Sequence, residues 1–419
     1  MRRWQQEARE TRAALDAAWS ELPPALRLPT QFLGRHYAGC GATIGAMPRC
    51  DFSCRACYLG PDANAAPPLP LSDVKAQMRV LREWLGPAGN LQLTDGEITL
   101  RKDAELIELI AYARSIGLVP MLMTHGETFR RRPGLLERLV LEGGLSEVCF
   151  HVDSTMRGRR DHYAQAHSEA ELMGLRAEFA ELVRAVRRRT GRRLDAASTM
   201  TVTQDNLAEV PAVLRWFLAN ADAFKMISFQ PIAMVGRSAT GLAGVSVEDL
   251  WQRIADGAGD RELARGTGYL GHPGCSRFVQ GVAVRRGDRA SLVPLYRDDE
   301  AHDMALLGEL LARVGGVSLR LDSAVRAALR VTQLALRHGV FFARRFAPYL
   351  WRLARRAGTW RGHYFCVVSH HFMSADELAT PLGQERLASC SFRVAIDGRL
   401  QPMCAVNAKG LRDAFYRAA

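Results

Sequence analysis

Between about residues 44 and 235 the chain alternates short apolar runs with segments in which apolar residues recur every three or four positions. The first pattern is typical of buried strands, and the second of amphipathic helices packed on a sheet. The runs span 42–47, 90–94, 118–124, 147–153, 196–202 and 224–232. Six β/α units predict an α/β fold built as a partial (β/α)6 barrel of the TIM type. Functional side chains in such barrels lie where the strands end.

Outside this region the pattern is less regular, and its changes divide the chain into five segments. A helical lead-in precedes the barrel, and a linker with a helical extension follows it. The next segment contains no Asp or Glu, and nine arginines interrupt its apolar background. The tail contains three cysteines and a strand-turn-strand pattern, SFRVAIDGRLQPM. The predicted segments are 1–40, 41–240, 241–323, 324–362 and 363–419.

The composition indicates a globular protein from a reducing compartment. With 419 residues, of which 48% are hydrophobic, the chain is long enough to bury a large core. Nine cysteines are too few for a disulfide scaffold, and the N-terminus lacks the apolar stretch of a signal peptide. No uncharged apolar run reaches the length of about 18 residues that a membrane span needs. We therefore expect a cytoplasmic protein.

The stretch CDFSCRACYLG follows the first apolar run and places Cys50, Cys54 and Cys57 on the first loop at the barrel mouth. Closely set thiolates select zinc or an iron–sulfur cluster. A structural zinc site needs four ligands, so Cys40 or His36 would have to supply the fourth. Three unligated thiols on an exposed loop would be liable to oxidation. The cysteines alone leave zinc and a cluster as alternatives.

The spacing C-x3-C-x2-C, on the loop after the first strand of a six-unit β/α region, resembles the radical S-adenosylmethionine (SAM) enzymes. The resemblance implies that the three cysteines bind three irons of a [4Fe–4S] cluster and that SAM binds the fourth. It implies cleavage of SAM to a 5′-deoxyadenosyl radical that abstracts hydrogen from an unactivated carbon. It also implies an electron donor such as a flavodoxin or ferredoxin. One position departs from the family, since Ala56 precedes the third cysteine where an aromatic residue is usual, and Tyr58 follows it.

The second apolar run ends in LQLTDGEITLR, and its Asp95-Gly96-Glu97 resembles the Gly-Gly-Glu motif that contacts the SAM amino group in that superfamily. The resemblance makes Glu97 the candidate ammonium acceptor. The later strands also end in polar residues, with Thr199 or Thr201 as further choices on the fifth. For each of these a turn or helix-cap role is an equal alternative. The residues assigned to cofactor binding are Tyr58, Thr94, Asp95, Gly96, Glu97, Thr124, Asp153, Ser198 and Gln230.

The tail motif Cys390-SFRVAID-Gly398-RLQPM-Cys404 resembles the auxiliary-cluster modules, called SPASM and twitch domains, that follow many radical SAM cores. The resemblance implies two ligands of a second [4Fe–4S] cluster, and Cys275 and Cys366 would complete a four-cysteine, twitch-like set. The alternative is four core cysteines in a reduced protein. Over about the last fifty residues, HHFM followed by PMCAVN also resembles tetraether lipid synthase and its relatives, which couple lipid chains.

The acid-free segment 324–362 predicts an interfacial helix or helix pair. Tyr349, Trp351 and Trp360 would lie at headgroup depth, and the arginines would meet anionic lipid. The alternative is a basic helix packed on the barrel with its arginines in solvent. Nucleic acid is not expected as a partner, because the aromatic residues lie in apolar runs and not on a polar basic face.

These observations predict a radical SAM enzyme acting on an apolar substrate, such as a lipid, and located in the cytoplasm or on the inner face of the membrane. Two alternatives remain open. One is a peptide-modifying radical SAM maturase, although residues 1–40 show no peptide-binding element. The other is a zinc-stabilised, non-enzymatic protein whose basic arm binds anionic surfaces. The sequence indicates neither the substrate nor the outcome of hydrogen abstraction.

Overall fold

A computed structural model describes residues 2–239, 241–265, 268–317, 324–356 and 362–418. In this part of the chain twelve strands form one sheet. The strands are β1 (Cys40–Ala42), β2 (Asn90–Leu93), β3 (Val119–Thr124), β4 (Glu147–His151), β5 (Asp195–Val202), β6 (Phe224–Pro231), β7 (Gly268–Tyr269), β8 (Ser276–Arg286), β9 (Arg289–Pro294), β10 (Gly362–His370), β11 (Phe392–Ile396) and β12 (Arg399–Pro402).

Fourteen α-helices accompany these strands within the same described residues. They are α1 (Arg2–Glu21), α2 (Leu71–Leu85), α3 (Asp103–Ser115), α4 (Glu127–Arg131), α5 (Pro133–Leu141), α6 (Met173–Thr190), α7 (Val210–Ala219), α8 (Val247–Ala258), α9 (Ala301–Val314), α10 (Ala324–Arg345), α11 (Ala347–Arg356), α12 (Pro381–Ala388), α13 (Met403–Ala408) and α14 (Leu411–Ala418). Glycine ends several of them, as the sequence predicts; α6, for example, stops at Gly191, whose φ of 63° an L-residue rarely adopts.

Strands β1 to β6 are parallel and adjacent in chain order, and at least one helix precedes each of β2 to β6. The predicted α/β class and partial (β/α)6 barrel are therefore confirmed. Strands β2 to β6 match the predicted apolar runs to within two residues at each end.

The first apolar run is the exception, because β1 ends at Ala42 and the next residues leave the sheet. The side-chain amide of Gln77 explains this departure. It donates to the Ile44 carbonyl at 2.8 Å and accepts from the Ile44 amide at 2.9 Å, so the backbone finds its partners outside the ladder. Gly45 follows with a φ of 73°, and from there the chain enters the cysteine loop.

Strands from outside the six-unit region extend both edges of the sheet. β11 pairs in parallel with β1, with Cys40 opposite Phe392, and β12 pairs antiparallel with β11. At the other edge β10 pairs in parallel with β6, and β8 then pairs antiparallel with β10. Residues 241–323 and 363–419 thus both contribute strands to the sheet of the barrel.

The two faces of the sheet differ in composition. The outer face packs against helices in a continuous apolar core that includes Leu81, Leu106, Phe217 and Trp251, all fully buried. Each such side chain stabilises the fold by about 1.5–3 kcal/mol relative to an exposed one. The inner face carries a small apolar cluster of Met121, Cys149 and Ala197, with Met123 and Met226 packed against them. Polar side chains share that face, since Gln92 and Glu147 both pair with Met121.

Helices α10 and α11, which make up most of the basic segment, lie at the outer edge of the fold. Tyr349 is buried against β8 and β9, whereas Leu336 on α10 is 85% exposed. Arg345 and Arg356 donate to Glu309 and Asp260 at 2.8 and 3.0 Å, so these two arginines attach the helices to the rest of the protein. Trp360, assigned above to the headgroup region, lies outside the described residues. Among the described helices, none has the length and apolar character needed to cross a membrane.

Candidate functional site

The cysteine loop after β1 is fixed to the loop after β2 by backbone hydrogen bonds. Gly96 donates to the Met47 carbonyl and Glu97 to the Arg49 carbonyl, each at 2.8 Å. A Cβ atom at position 96 would overlap the carbonyl oxygens of Pro48 and Arg49. The glycine of the Asp-Gly-Glu motif therefore allows the two loops to touch, and brings Glu97 next to the cysteine loop.

Cys50, Cys54 and Cys57 are all partly buried on this loop. Burial raises the pKa of the Cys54 thiol to about 12 and also raises the pKa of Cys50. The thiols of Cys50 and Cys54 are therefore neutral until a metal replaces their protons. Arg237, which follows β6, donates from its guanidinium to the Cys57 sulfur at 3.3 Å and from its backbone amide to the Cys57 carbonyl at 2.9 Å. The sequence analysis missed Arg237, although it is a basic residue in the loop after a predicted strand.

A histidine lies next to the first cysteine. The Nε2 atom of His125 is 2.8 Å from an Asp51 carboxylate oxygen, and the His125 ring stacks on Phe52 with centroids 3.8 Å apart. The ligand atoms of Cys50, Asp51 and His125 all lie within 4.8 Å of one another. Among the described residues this is the one such group, so the three motif sulfurs do not all lie within that distance. One tetrahedral zinc ion would hold its sulfur ligands about 3.8 Å apart.

The carboxylate of Glu97 is buried beside the end of β3. One oxygen accepts from the Thr124 hydroxyl at 2.8 Å and from the amide and hydroxyl of Thr99; the other accepts from the His125 amide at 2.9 Å. The structure thus brings together two predicted cofactor residues, Glu97 and Thr124. A carboxylate accepts about four hydrogen bonds. Since four protein donors already contact Glu97, a ligand ammonium group would have to replace one of them.

Asp95 faces the C-terminal helix and not the barrel mouth. Its buried carboxylate accepts from the Gly45 amide at 2.6 Å, from the guanidinium of Arg412 and from the hydroxyl of Tyr416. The hydroxyl of Tyr58 donates to the Asp95 carbonyl at 2.6 Å, and Arg412 lies over the Tyr58 ring, 4.7 Å from its centroid. Asp95 and Tyr58, both assigned to cofactor binding from the sequence, therefore contact α14. The sequence analysis missed their partners Arg412 and Tyr416. The neighbouring Thr94, half-buried, accepts through its carbonyl from the Thr43 hydroxyl at 2.9 Å.

Asp153, after β4, is fully buried among donors. Its carboxylate accepts from the amide and hydroxyl of Thr155 and from the Thr201 amide, and it lies 2.7 Å from His151 Nε2. Burial by itself opposes ionisation, but His151 and the hydrogen bonds hold the pKa of Asp153 well below its usual range. Asp153 is thus an anionic group that orients the loop between β4 and α6.

The remaining two cofactor assignments lie on different faces of the sheet. The Ser198 hydroxyl donates to the Phe150 carbonyl at 2.9 Å, and its strand neighbours Ala196 and Met200 belong to the outer core. Thr199 and Thr201, the other choices on β5, alternate with Ser198 and lie on the inner face, near Cys149 and His151. Gln230 is half-buried on β6 opposite Thr201.

A second group of cysteines meets in one cavity at the tail. Its lining includes Cys275, Cys390 and Cys404, together with His370 and His371. Arg386 donates from Nε to the Cys275 sulfur at 3.2 Å, and it also contacts Glu377 at 2.9 Å. Burial raises the pKa of Cys390 to about 11 and that of Cys404 to about 12.

Cys366, the fourth cysteine of the predicted set, does not line this cavity. It lies on β10 opposite Met226 and packs in an apolar cluster with Phe278 and Val368. Four residues of strand, about 13 Å, separate Cys366 from His370. The structure therefore brings together three of the four cysteines, and places two histidines where the fourth was expected.

The fold and the cysteine loop define a half-barrel α/β protein with three thiols at the carboxyl ends of its strands. Over 197 residues the chain is 26% identical to the 7,8-dihydro-6-hydroxymethylpterin dimethyltransferase of Methanocaldococcus jannaschii. The aligned stretch covers 47% of this chain and 37% of that relative. No protein family model matches the chain. The half-barrel and this similarity fit the radical SAM superfamily in general, and neither identifies a substrate.

Proposed function

We propose that this protein is a radical SAM enzyme that abstracts hydrogen from an unactivated carbon of an apolar, lipid-like substrate. The observation that carries the proposal is the C-x3-C-x2-C loop at the mouth of a half-barrel, bonded through Met47 and Arg49 to the loop of Gly96 and Glu97. Two loops that the resemblance assigns to the cluster and to SAM are thereby in contact. The three sulfurs do not all lie within 4.8 Å of one another, a separation that a cluster accommodates more readily than one zinc ion does.

The residues fit the cofactors that the proposal requires. Cys50, Cys54 and Cys57 would hold a [4Fe–4S] cluster, which supplies the electron for reductive cleavage of SAM when it is bound. Arg237 places a positive charge against Cys57 and so offsets the negative charge of thiolate ligands. Glu97, fixed by Thr124 and other donors, would accept the SAM ammonium group in exchange for one of them. The electron donor would be a low-potential protein such as a flavodoxin or ferredoxin.

One patch on the inner face of the half-barrel supports an apolar substrate. Met121, Met123, Cys149 and Met226 offer soft, adaptable surface to an apolar chain. Polar side chains on the same face, such as Gln92 and Glu147 opposite Met121, lie beside this patch. The methionine-rich patch is the reason to prefer the lipid-like substrate over the peptide substrate of a maturase.

Helix α10 supports a position at a membrane surface. Leu329, Leu336 and Val340 are 58%, 85% and 71% exposed, and their spacing of seven and four residues places them on one stripe. Arg330 and Arg337 each follow a leucine of the stripe and so lie along its flank. An apolar stripe with flanking arginines and no acidic residue matches an anionic bilayer. We infer peripheral binding to the inner face of the membrane.

The cluster is tested by anaerobic purification with iron, sulfide and zinc analysis, followed by reduction in the presence of SAM. We expect iron and sulfide in equal amounts, and formation of 5′-deoxyadenosine that Cys54→Ala abolishes. Cys149→Ala, which removes a different buried thiol, should keep the iron content. Stoichiometric zinc without sulfide would contradict the proposal and favour a zinc-stabilised binding protein.

Membrane binding is tested separately by flotation with phosphatidylcholine vesicles that contain either no phosphatidylglycerol or about 30% of it. We expect flotation only with the anionic lipid, and at least a tenfold loss in Leu336→Glu, because a charge on the stripe opposes insertion. Leu141→Glu is the matched control, since Leu141 is 57% exposed on α5, away from the basic segment. Equal flotation of both variants would remove the membrane proposal.

A further inference from the structure

We propose that His125 is a positioning residue that couples the SAM-binding carboxylate of Glu97 to the cluster loop through Asp51. Nε2 of the His125 ring lies 2.8 Å from an Asp51 oxygen and 3.2 Å from a Glu97 oxygen. The inference rests on the proposed function for the identity of the two ligands, the cluster and SAM. It goes beyond that function by giving a role to a side chain that is assigned to neither ligand.

The two carboxylate oxygens of Glu97 have unequal numbers of donors, and this decides where a ligand ammonium group would bind. Oε1 accepts from the amide and hydroxyl of Thr99 and from the hydroxyl of Thr124. Among the described residues, Oε2 accepts one hydrogen bond, from the His125 amide at 2.9 Å, and its other near neighbour is the His125 ring. Each carboxylate oxygen accepts about two hydrogen bonds, so an incoming ammonium group meets fewest competitors at Oε2, beside this ring.

The surroundings of the His125 ring fix its tautomer and its orientation. Nδ1 accepts from the Glu127 amide at 3.2 Å, so the proton of the neutral ring lies on Nε2 and is donated to Asp51. Phe52 stacks on the ring with centroids 3.8 Å apart and planes inclined by 6°. A cation at Oε2 of Glu97 would repel the positive end of the Nε2–H dipole, and would thereby favour its hydrogen bond to Asp51.

Asp51 and Phe52 connect the ring to the first cysteine of the motif. Asp51 follows Cys50 directly, and the Phe52 amide donates to the Cys50 sulfur at 3.4 Å. The ligand atoms of Cys50, Asp51 and His125 all lie within 4.8 Å of one another. Hydrogen bonds to a ligand sulfur tune the reduction potential of a cluster, so a change at Glu97 would be transmitted to the cluster at Cys50.

The ring has contacts that the turn after β3 does not require. The amide of residue 125 would reach Glu97 whatever the side chain, and Gly126, with a φ of 83°, makes the turn itself. A side chain that served the turn alone would have no need to reach the loop after β1. The contacts of the ring with Asp51 and Phe52 are therefore the observations that carry the inference.

The first test uses the metal-free, full-length protein and measures the rate at which iodoacetamide alkylates each cysteine of the loop, by mass spectrometry. His125→Phe keeps an aromatic ring for stacking and loses the N–H donor, so Cys50 should be alkylated about tenfold faster, the loss expected of one hydrogen bond to a charged group. Cys57, held by Arg237, should change little and so shows that the variant is folded.

Two further variants make the first test specific. His125→Gln restores an N–H donor toward Asp51, and should return the rate of Cys50 alkylation part of the way to that of the wild type. Arg131→Gln is the matched control, because Arg131 is the other cationic partner of Asp51, at 3.6 Å, and both side chains are partly exposed. Its loss should leave the rate almost unchanged.

The second test uses the reconstituted enzyme, in which the reduction potential of the cluster is measured by EPR with and without SAM. The shift caused by SAM should be smaller in His125→Phe than in the wild type, and His125→Gln should restore it. The KM for SAM in 5′-deoxyadenosine formation should rise about tenfold in His125→Phe. A merely structural role would lower the iron content and leave the SAM-induced shift of the remaining clusters unchanged.

The outcomes separate this inference from the proposed function. A wild-type protein that binds no cluster would contradict the proposed function, and the alkylation rates alone would then decide whether His125 orders the cysteine loop. The inference is overturned if Cys50 is alkylated equally fast in wild type and His125→Phe, or if Arg131→Gln has the same effect as His125→Phe. It is also overturned if SAM shifts the potential equally in the wild type and in His125→Phe.

Discussion

The two cysteine groups of this protein are built in opposite ways. Cys50, Cys54 and Cys57 come from one loop of eight residues, whereas the tail group joins Cys275 to a hairpin more than a hundred residues further along the chain. Yet both adjoin the same sheet, and each has an arginine hydrogen-bonded to one sulfur: Arg237 to Cys57 at 3.3 Å and Arg386 to Cys275 at 3.2 Å.

The two groups depend on different parts of the fold. A local motif requires only that its loop be placed at the mouth, which β1 and the Gly96 contact achieve. The dispersed group requires correct strand pairing at both ends of the sheet, since β10 and β11 lie at opposite edges of the six-stranded core. We therefore expect mutations in the tail to damage the dispersed site first, unless they break a contact that reaches the loop.

Arg412, in the tail, contacts the neighbourhood of the cysteine loop, and we expect its substitution to have the largest effect on the free energy of unfolding. Its ion pair with Asp95 is almost wholly buried, and the guanidinium also lies over Tyr58, the neighbour of Cys57. Arg412→Met would leave the Asp95 carboxylate buried without its cation, at a cost of about 3–5 kcal/mol. Denaturant unfolding of the metal-free protein measures the change in the free energy of unfolding.

The matched control is Arg417→Met on the same helix. Arg417 pairs with Asp62 at 3.0 Å, but both side chains are about half exposed or more, so the loss should stay below about 1 kcal/mol. Equal destabilisation by the two variants would mean that α14 contributes through packing alone. In that case the loop site would not depend on the Asp95 ion pair, and the two cysteine groups would be independent.

The strands of the barrel could be predicted from the sequence because the patterns that indicate them are local. Periodic apolar residues and the C-x3-C-x2-C spacing are visible within a few residues of one another, and β2 to β6 follow from them. The partners of Asp95 could not be predicted in this way, since Arg412 and Tyr416 lie more than three hundred residues from it. The position of Cys366 could not be predicted either. Cys366 belongs to the tail, as Cys390 does, but the register of β10 places it opposite Met226 on β6. Register and sheet-edge pairing are set by tertiary packing.

The smallest expected effect distinguishes the two arginines by their distance from the loop cluster. Arg237 donates a charged hydrogen bond to Cys57, so its removal should lower the reduction potential of that cluster, because the reduced cluster carries more negative charge. Arg237→Gln should lower this potential by on the order of 60 mV, a tenfold change in a one-electron equilibrium. Arg386→Gln, which removes a contact to Cys275 and not to the loop, should leave it within about 20 mV.

Redox titration followed by EPR measures the potential of the loop cluster in each variant. A shift of that potential by the same amount in both variants would contradict this separation. Phe372, Phe392 and Met403 line the tail cavity and also pack with Cys57, and through them the two cysteine groups would then act as one electrostatic unit, despite their different origins along the chain.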